Sequence, residues 1–165
     1  MPTCGILGRA CYGAARSKEC RMIVHLFFIV LTWMVGLAPG RDVNELAWAV
    51  AVNARSETEA AVLTAVAFRE SSLRNDVTGD GGHSVCAMQI YDGPKTLLED
   101  PIACVARGAK MLRASRRVDP ENPIAFYARG PRWRSEEAKR ISRDRMALAK
   151  RLVRVSSLGE VTSAR

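Results

Sequence analysis

Histidine and aromatic residues are scarce in this chain. It has two histidines in 165 residues, and aromatics make up 6%. Only His83 lies beyond the N-terminal apolar run. A metal centre draws on several His, Cys or carboxylate ligands, so a lone loop histidine does not indicate one. No metal and no cofactor is expected. The thin aromatic content also disfavours a nucleic-acid reader, which interleaves stacking rings with its cations or carries a recognisable module. No internal repeat is present. Cysteine is rare after the apolar run, and none directly follows it, so a lipoprotein-type modification is not indicated.

Positive charge is plentiful. The formal net charge is +8. Residues 41–104 carry 5 basic and 10 acidic side chains, and residues 105–165 carry 16 and 6. A basic surface suits a polyanionic partner or compartment, such as nucleic acid, anionic lipid or bacterial cell wall. The simplest role of the basic C-terminal helix is a solvated face. Its functional alternative is contact with an anionic wall polymer or a membrane surface.

The N-terminus reads as an export leader. Arg9, Arg16, Lys18 and Arg21 precede an uncharged apolar run over residues 22–38. A basic stretch followed by such a run is the pattern of a signal peptide or a signal anchor. Gly36 and Ala38 offer a small-residue cleavage site, while Pro39 hinders cutting there, so an uncleaved inner-membrane anchor is the alternative. The remaining alternative is a buried core helix. Residues 1–40 are thus expected as leader, 41–156 as one exported domain in the periplasm or cell-wall space, and 157–165 as a polar tail. Of the five cysteines, only Cys86 and Cys104 belong to the exported part. Two thiols in an oxidising compartment suggest one disulfide, with two buried free thiols as the alternative.

Beyond the leader the chain is mainly helical. Asp42 can cap a helix reaching about residue 53, with Leu46, Ala47, Val50 and Ala51 on one face. Ser56-Glu57-Thr58-Glu59 is a capping box. In the helix it opens, Leu63, Val66 and Ala67 share a face, and Glu70 falls on that face one turn later. Residues 75–84 are loop by their Gly and Asp content, and residues 85–91 are a strand or a helix start. Asp100-Pro101 opens a helix with Ile102, Val105, Ala109 and Leu112 on one face beside Gly108. Residues 123–128 form a short helix stopped by Gly130-Pro131. Ser135 caps a long final helix whose apolar positions are Ala138, Ile141, Leu148, Ala149 and Leu152.

Glu70 is the candidate chemistry. A carboxyl closing an apolar helix face opposite a polar loop suits a general acid, because burial disfavours its charged form. A glycosidic oxygen is a poor leaving group until protonated, so a glycan-cleaving site needs such an acid.

Three segments carry a resemblance. Glu70-Ser71-Ser72-Leu73, then Ala87-Met88-Gln89-Ile90, then Ala125-Phe126-Tyr127-Ala128-Arg129-Gly130-Pro131 are similar to the E-S, G-L-M-Q and A-Y-N-A-G motifs of lysozyme-like lytic transglycosylases of the soluble type. Gly108-Ala109-Lys110-Met111-Leu112 resembles the end of the helix that family places between its second and third motifs. The resemblance spans about residues 43–154. It implies an α+β lysozyme-like fold, a helical bundle around a sugar-binding cleft with at most a minimal β element. It implies peptidoglycan glycan strands as partner, cleaved at the MurNAc–GlcNAc β-1,4 bond to a 1,6-anhydro product. Glu70 would be acid and base, Ser71 would help position it, Met88 and Gln89 would line the cleft, and Tyr127 would place its hydroxyl near Glu70. Cys86 stands where the family has a small residue, which a bridge to Cys104 would explain, and the Asn that follows Tyr in the family is absent.

Hydrolysis as against transglycosylation turns on a second carboxylate. In animal-type lysozymes, with a similar loop, a catalytic Asp precedes the Gln by five residues, and here that position is Ser84. Asp80 is the candidate in its place, although Asp in a Gly-rich loop commonly serves the turn. The alternatives are therefore a muramidase that uses water, lysozyme- or endolysin-like, and a peptidoglycan-binding protein that does not cut.

Overall fold

The computed structural model describes residues 18–163. Arg9, Arg16, Cys4 and Cys11 of the expected leader lie outside them. The apolar run forms one helix, α1 (Lys18–Leu37), long and apolar enough to cross a membrane by length and composition. Leu26, Val30, Trp33 and Met34 recur on one face and are buried, while Val24, Phe28 and Val35 on other faces are exposed. The buried stripe packs on α2 (Asn44–Asn53) and α3 (Glu57–Ser71). Trp33 Nε1 donates to Ser156 Oγ at 3.0 Å. The helix expected as a leader, with a buried core helix as the alternative, therefore places one face in the domain's hydrophobic core.

The local signals hold with small displacements. Asp42 lies outside the cap position of α2, which is Val43, yet its carboxylate accepts the Asn44 N–H at 3.1 Å. Ser56 caps α3 by accepting the Glu59 N–H. The reciprocal bond slips one residue, from the Arg55 N–H to the Glu59 carboxylate at 2.8 Å. Asp100 caps α4 (Pro101–Val118) through the Ala103 N–H, with Pro101 in the first turn where its missing N–H goes unneeded. The short α5 (Ala125–Arg129) ends at Gly130, where φ is +49°. Ser135 Oγ accepts the Ala138 N–H at the start of α6 (Glu136–Ser163). That helix runs past Ser156 into the segment expected as a polar tail.

Between α3 and α4 lies the only sheet among the described residues. It is a three-stranded antiparallel element of β1 (Thr78–Gly79), β2 (Ser84–Val85) and β3 (Ile90–Tyr91), with Gly79 opposite Ser84 and Val85 opposite Ile90. The molecule is thus mainly α with a minimal β element. The loop expected at 75–84 is partly strand, because Gly81 and Gly82 adopt positive φ and let the chain reverse. Asn75 staples this region. Its amide donates to the Leu97 and Leu98 carbonyls at 2.9 Å each, and its oxygen accepts the Ala87 N–H.

Two cross-links hold the sheet and helices together. Cys86 and Cys104 form a disulfide with Cα atoms 6.3 Å apart, both fully buried. Gly108 on α4 lies against Met88, where a Cβ would come within 2.7 Å of Met88 Cε and 3.0 Å of its Cβ. At the far end of α3, Arg113 of α4 meets Glu59 at 2.7 Å and the Asn53 carbonyl at 2.8 Å. Ile102 departs from its expected core position and is 41% exposed, beside Phe27 and Trp48 in a surface groove.

Candidate active site

Glu70 is placed by the way α3 stops. Ser72 and Leu73 both take left-handed backbone, with φ of 55° and 63°. Their N–H groups cap the Phe68 and Ala67 carbonyls. Leu73 then drops into the core at 3% exposure, pulling the chain away from the helix axis. Glu70 is left in the last turn, half-buried, on the apolar face the periodicity predicts.

Glu70 borders an open groove of about 350 Å³, also lined by Ser71, Ser72, Arg74, Val77, Thr78, Gly79, Gln89 and Arg41. Two larger grooves occur elsewhere, one walled by Phe27 and Trp48 and one near Arg113, but neither reaches Glu70. Among the described residues lining its own groove, Glu70 is the one carboxylate. Arg41 and Arg74 add two exposed cations at the rim that sequence reasoning did not assign to the site.

Gln89 lines the same groove, carried by the turn just before β3. Its backbone is left-handed at φ +48°, and its amide donates to the Cys86 carbonyl at 2.9 Å. Gly79 makes room for it, since a Cβ there would fall 2.2 Å from Gln89 Oε1. Cys86 also has positive φ, +64°. Left-handed backbone is the physical reason a small residue, glycine above all, suits this position.

Other expected site residues are placed differently. Ser71 lines the groove, but its hydroxyl donates to the Ala67 carbonyl and accepts the Arg74 N–H, closing the helix end rather than holding the Glu70 carboxylate. Met88, expected in the cleft wall, is fully buried beneath Gly108. Only its carbonyl takes part, accepting from the Tyr127 hydroxyl. Burial first, and then the Glu70 charge, push the Tyr127 phenol well above its usual range, with Arg145 opposing. Tyr127 is therefore a fixed, neutral donor close enough to Glu70 to feel its charge. Asp80 does not line the groove. Its carboxylate accepts from Ser84 Oγ at 2.5 Å within the hairpin, where Asp80 itself has φ +50°. His83 is exposed, stacked on Tyr91 and bonded to Asp92 at 3.1 Å, and Trp133 lies under the Arg134 guanidinium. The described residues hold no cluster of His, Cys, Asp and Glu suited to a metal ion.

The sequence reading missed the partner of Glu70. Arg145 Nη2 donates to Glu70 Oε1 at 2.7 Å, with side chains 11% and 20% exposed. The neighbouring pair, Arg69 and Asp144 at 3.0 Å, joins the same two helices but is nearly half exposed. The signal was there in register. Ala138, Ser142, Arg145, Ala149 and Leu152 recur at helical spacing and are all buried. Two polar members of that stripe hid it from a search for apolar residues alone. Ile141, taken as a core position, is only half-buried.

Comparison with family models, with curated proteins and with solved structures finds no match for this chain.

Proposed function

We propose that this chain is a peptidoglycan lytic transglycosylase with a lysozyme-like catalytic domain, and that Glu70 is its single acid and base. The observation that carries the reading is a half-buried Glu70 standing as the one carboxylate, among the described residues, of an open groove that Gln89 also lines. The three motif segments that suggested the reading contribute Glu70, Gln89 and Tyr127 to one region. The cationic rim from Arg41 and Arg74 suits a glycan that carries carboxylates. A disulfide and an apolar N-terminal helix suit export to the wall.

In this reaction Glu70 in its acid form gives its proton to the glycosidic oxygen, and the C1–O bond breaks with the electron pair going to that oxygen. The resulting carboxylate takes the proton of the C6 hydroxyl of the same muramic sugar. O6 bonds to C1, the 1,6-anhydro ring closes, and Glu70 is again protonated. No water is consumed, so no second carboxylate is required, in contrast to two-carboxylate hydrolysis. Gln89, locked on the Cys86 carbonyl, provides a rigid wall against which a sugar can be held, and Tyr127, locked on the Met88 carbonyl, stands near Glu70 without lining the groove.

Digestion of purified sacculi followed by mass spectrometry tests this. The expected products end in 1,6-anhydromuramic acid, and Glu70→Gln releases none. Products with reducing ends would replace the proposal with a hydrolase, and sacculi bound but uncut by the wild type would replace it with a binding protein.

A further inference from the structure

An arginine in the buried stripe of a helix is costly unless it is paired. Arg145 has little else to pair with. Its Nε is buried and makes no hydrogen bond, and Nη1 reaches the Ile141 carbonyl only at 3.4 Å. The one close, charge-assisted bond is to Glu70 Oε1. Glu70 in turn stands in the last turn of α3, at the negative end of the helix dipole, where a carboxylate is disfavoured and a cation offsets the penalty. Among the described residues its carboxyl accepts no other hydrogen bond, so Oε2 is unengaged on a residue that lines the groove.

We propose that Arg145 is a positioning residue of this site, holding Glu70 by Oε1 so that Oε2 is the oxygen that carries the proton to and from substrate. The proposal rests on Glu70 being the acid. Four other groups can act on that carboxyl. Tyr127 on α5 stays neutral over the working range. Arg41 and Arg74 at the rim are exposed and screened by water. Asp144 is turned to Arg69 on the outer side of the same helix pair. Among the described residues Arg145 is thus the one group bonded to the Glu70 carboxyl. Removing it frees Oε1 and takes away the contact that fixes how the carboxyl is turned toward the groove.

The test compares wild type with Arg145→Lys, Arg145→Met and Arg145→Gln. On purified peptidoglycan, kcat is expected to fall by about ten- to a hundredfold in the two neutral variants, with KM changed by less than about twofold. Arg145→Lys keeps a charged donor for Oε1 and should recover most of that loss. In parallel, carbodiimide coupling of an amine is measured at Glu70 by peptide mass spectrometry. With Oε1 released, coupling should be faster in the neutral variants than in the wild type and close to wild type in Arg145→Lys. A lower melting temperature with unmoved kcat and unmoved labelling would mean Arg145 is only structural and would overturn the proposal. Labelling also separates the two claims: a wild type that cuts no glycan at any pH sinks the proposed activity, while the Glu70 labelling profiles still decide the role of Arg145.

Discussion

Removing the Cys86–Cys104 bridge tests how the groove wall is built. The bridge joins the Met88–Gln89 turn to α4 across a sequence separation of 18. Chain-entropy arguments give about 3 kcal/mol for closing a loop of this length in the unfolded state. Cys86→Ala with Cys104→Ala should therefore lose about 3 kcal/mol, or about 6–12 °C in melting temperature for a domain of this size. Cys86 also holds a left-handed backbone at φ +64°. A non-glycine residue there costs about 1–2 kcal/mol. Glycine relieves that cost, so Cys86→Gly with Cys104→Ala should lose about 1–2 kcal/mol rather than 3. Urea unfolding followed by circular dichroism, with the wild type run with and without reductant, reads all of these. Two results would refute the reasoning. One is an Ala/Ala variant as stable as oxidised wild type. The other is a Gly/Ala variant less stable than Ala/Ala.

Two glycines should separate packing from site geometry. Gly108→Ala drives a Cβ into the buried stem of Met88, whose Cβ cannot retreat, and should cost about 1–3 kcal/mol in urea unfolding. Gly79→Ala meets only the end of the Gln89 side chain, so stability should fall by no more than about 1 kcal/mol while glycan cleavage drops as Gln89 leaves the Cys86 carbonyl. For Glu59, burial pushes the carboxyl up, but the Arg113 hydrogen bond, the Arg55 N–H and the two positive charges outweigh it and hold the group below its usual range. A depressed folded value means the stabilisation is present above about pH 4.5 and is lost as pH falls through the lower folded value. Glu59→Gln should cost about 1–2 kcal/mol at pH 7 and little at pH 2–3, read from urea midpoints at both.

What could be read in advance follows the range of the forces involved. Ser56, Asp100 and Ser135 cap their helices because a cap is a contact within three residues. Glu70 fell on the apolar face because the helical period is fixed over one turn. Cys86 and Cys104, the two cysteines beyond the apolar run, do pair. The errors came where a partner is distant in sequence. Met88 read as a cleft residue by motif position, yet the approach of Gly108 buries it. Ile102 read as core by spacing, yet the groove beside Trp48 leaves it exposed. The apolar run read as a leader does form a helix long and apolar enough for a signal or an anchor, while the packing of one of its faces on α2 and α3 is a long-range contact that composition does not disclose.

The sequence by itself determined the helices, their starts, the disulfide candidates and the carboxyl at the end of α3. Those rest on short-range periodicity, capping and composition. The tertiary structure alone decided what that carboxyl meets. Arg145 lies 75 residues from Glu70, and only the packing of α6 on α3 brings a guanidinium to 2.7 Å from its oxygen. A side chain's charged partner depends on which helix faces are driven together by burial, and no local rule along the chain contains that.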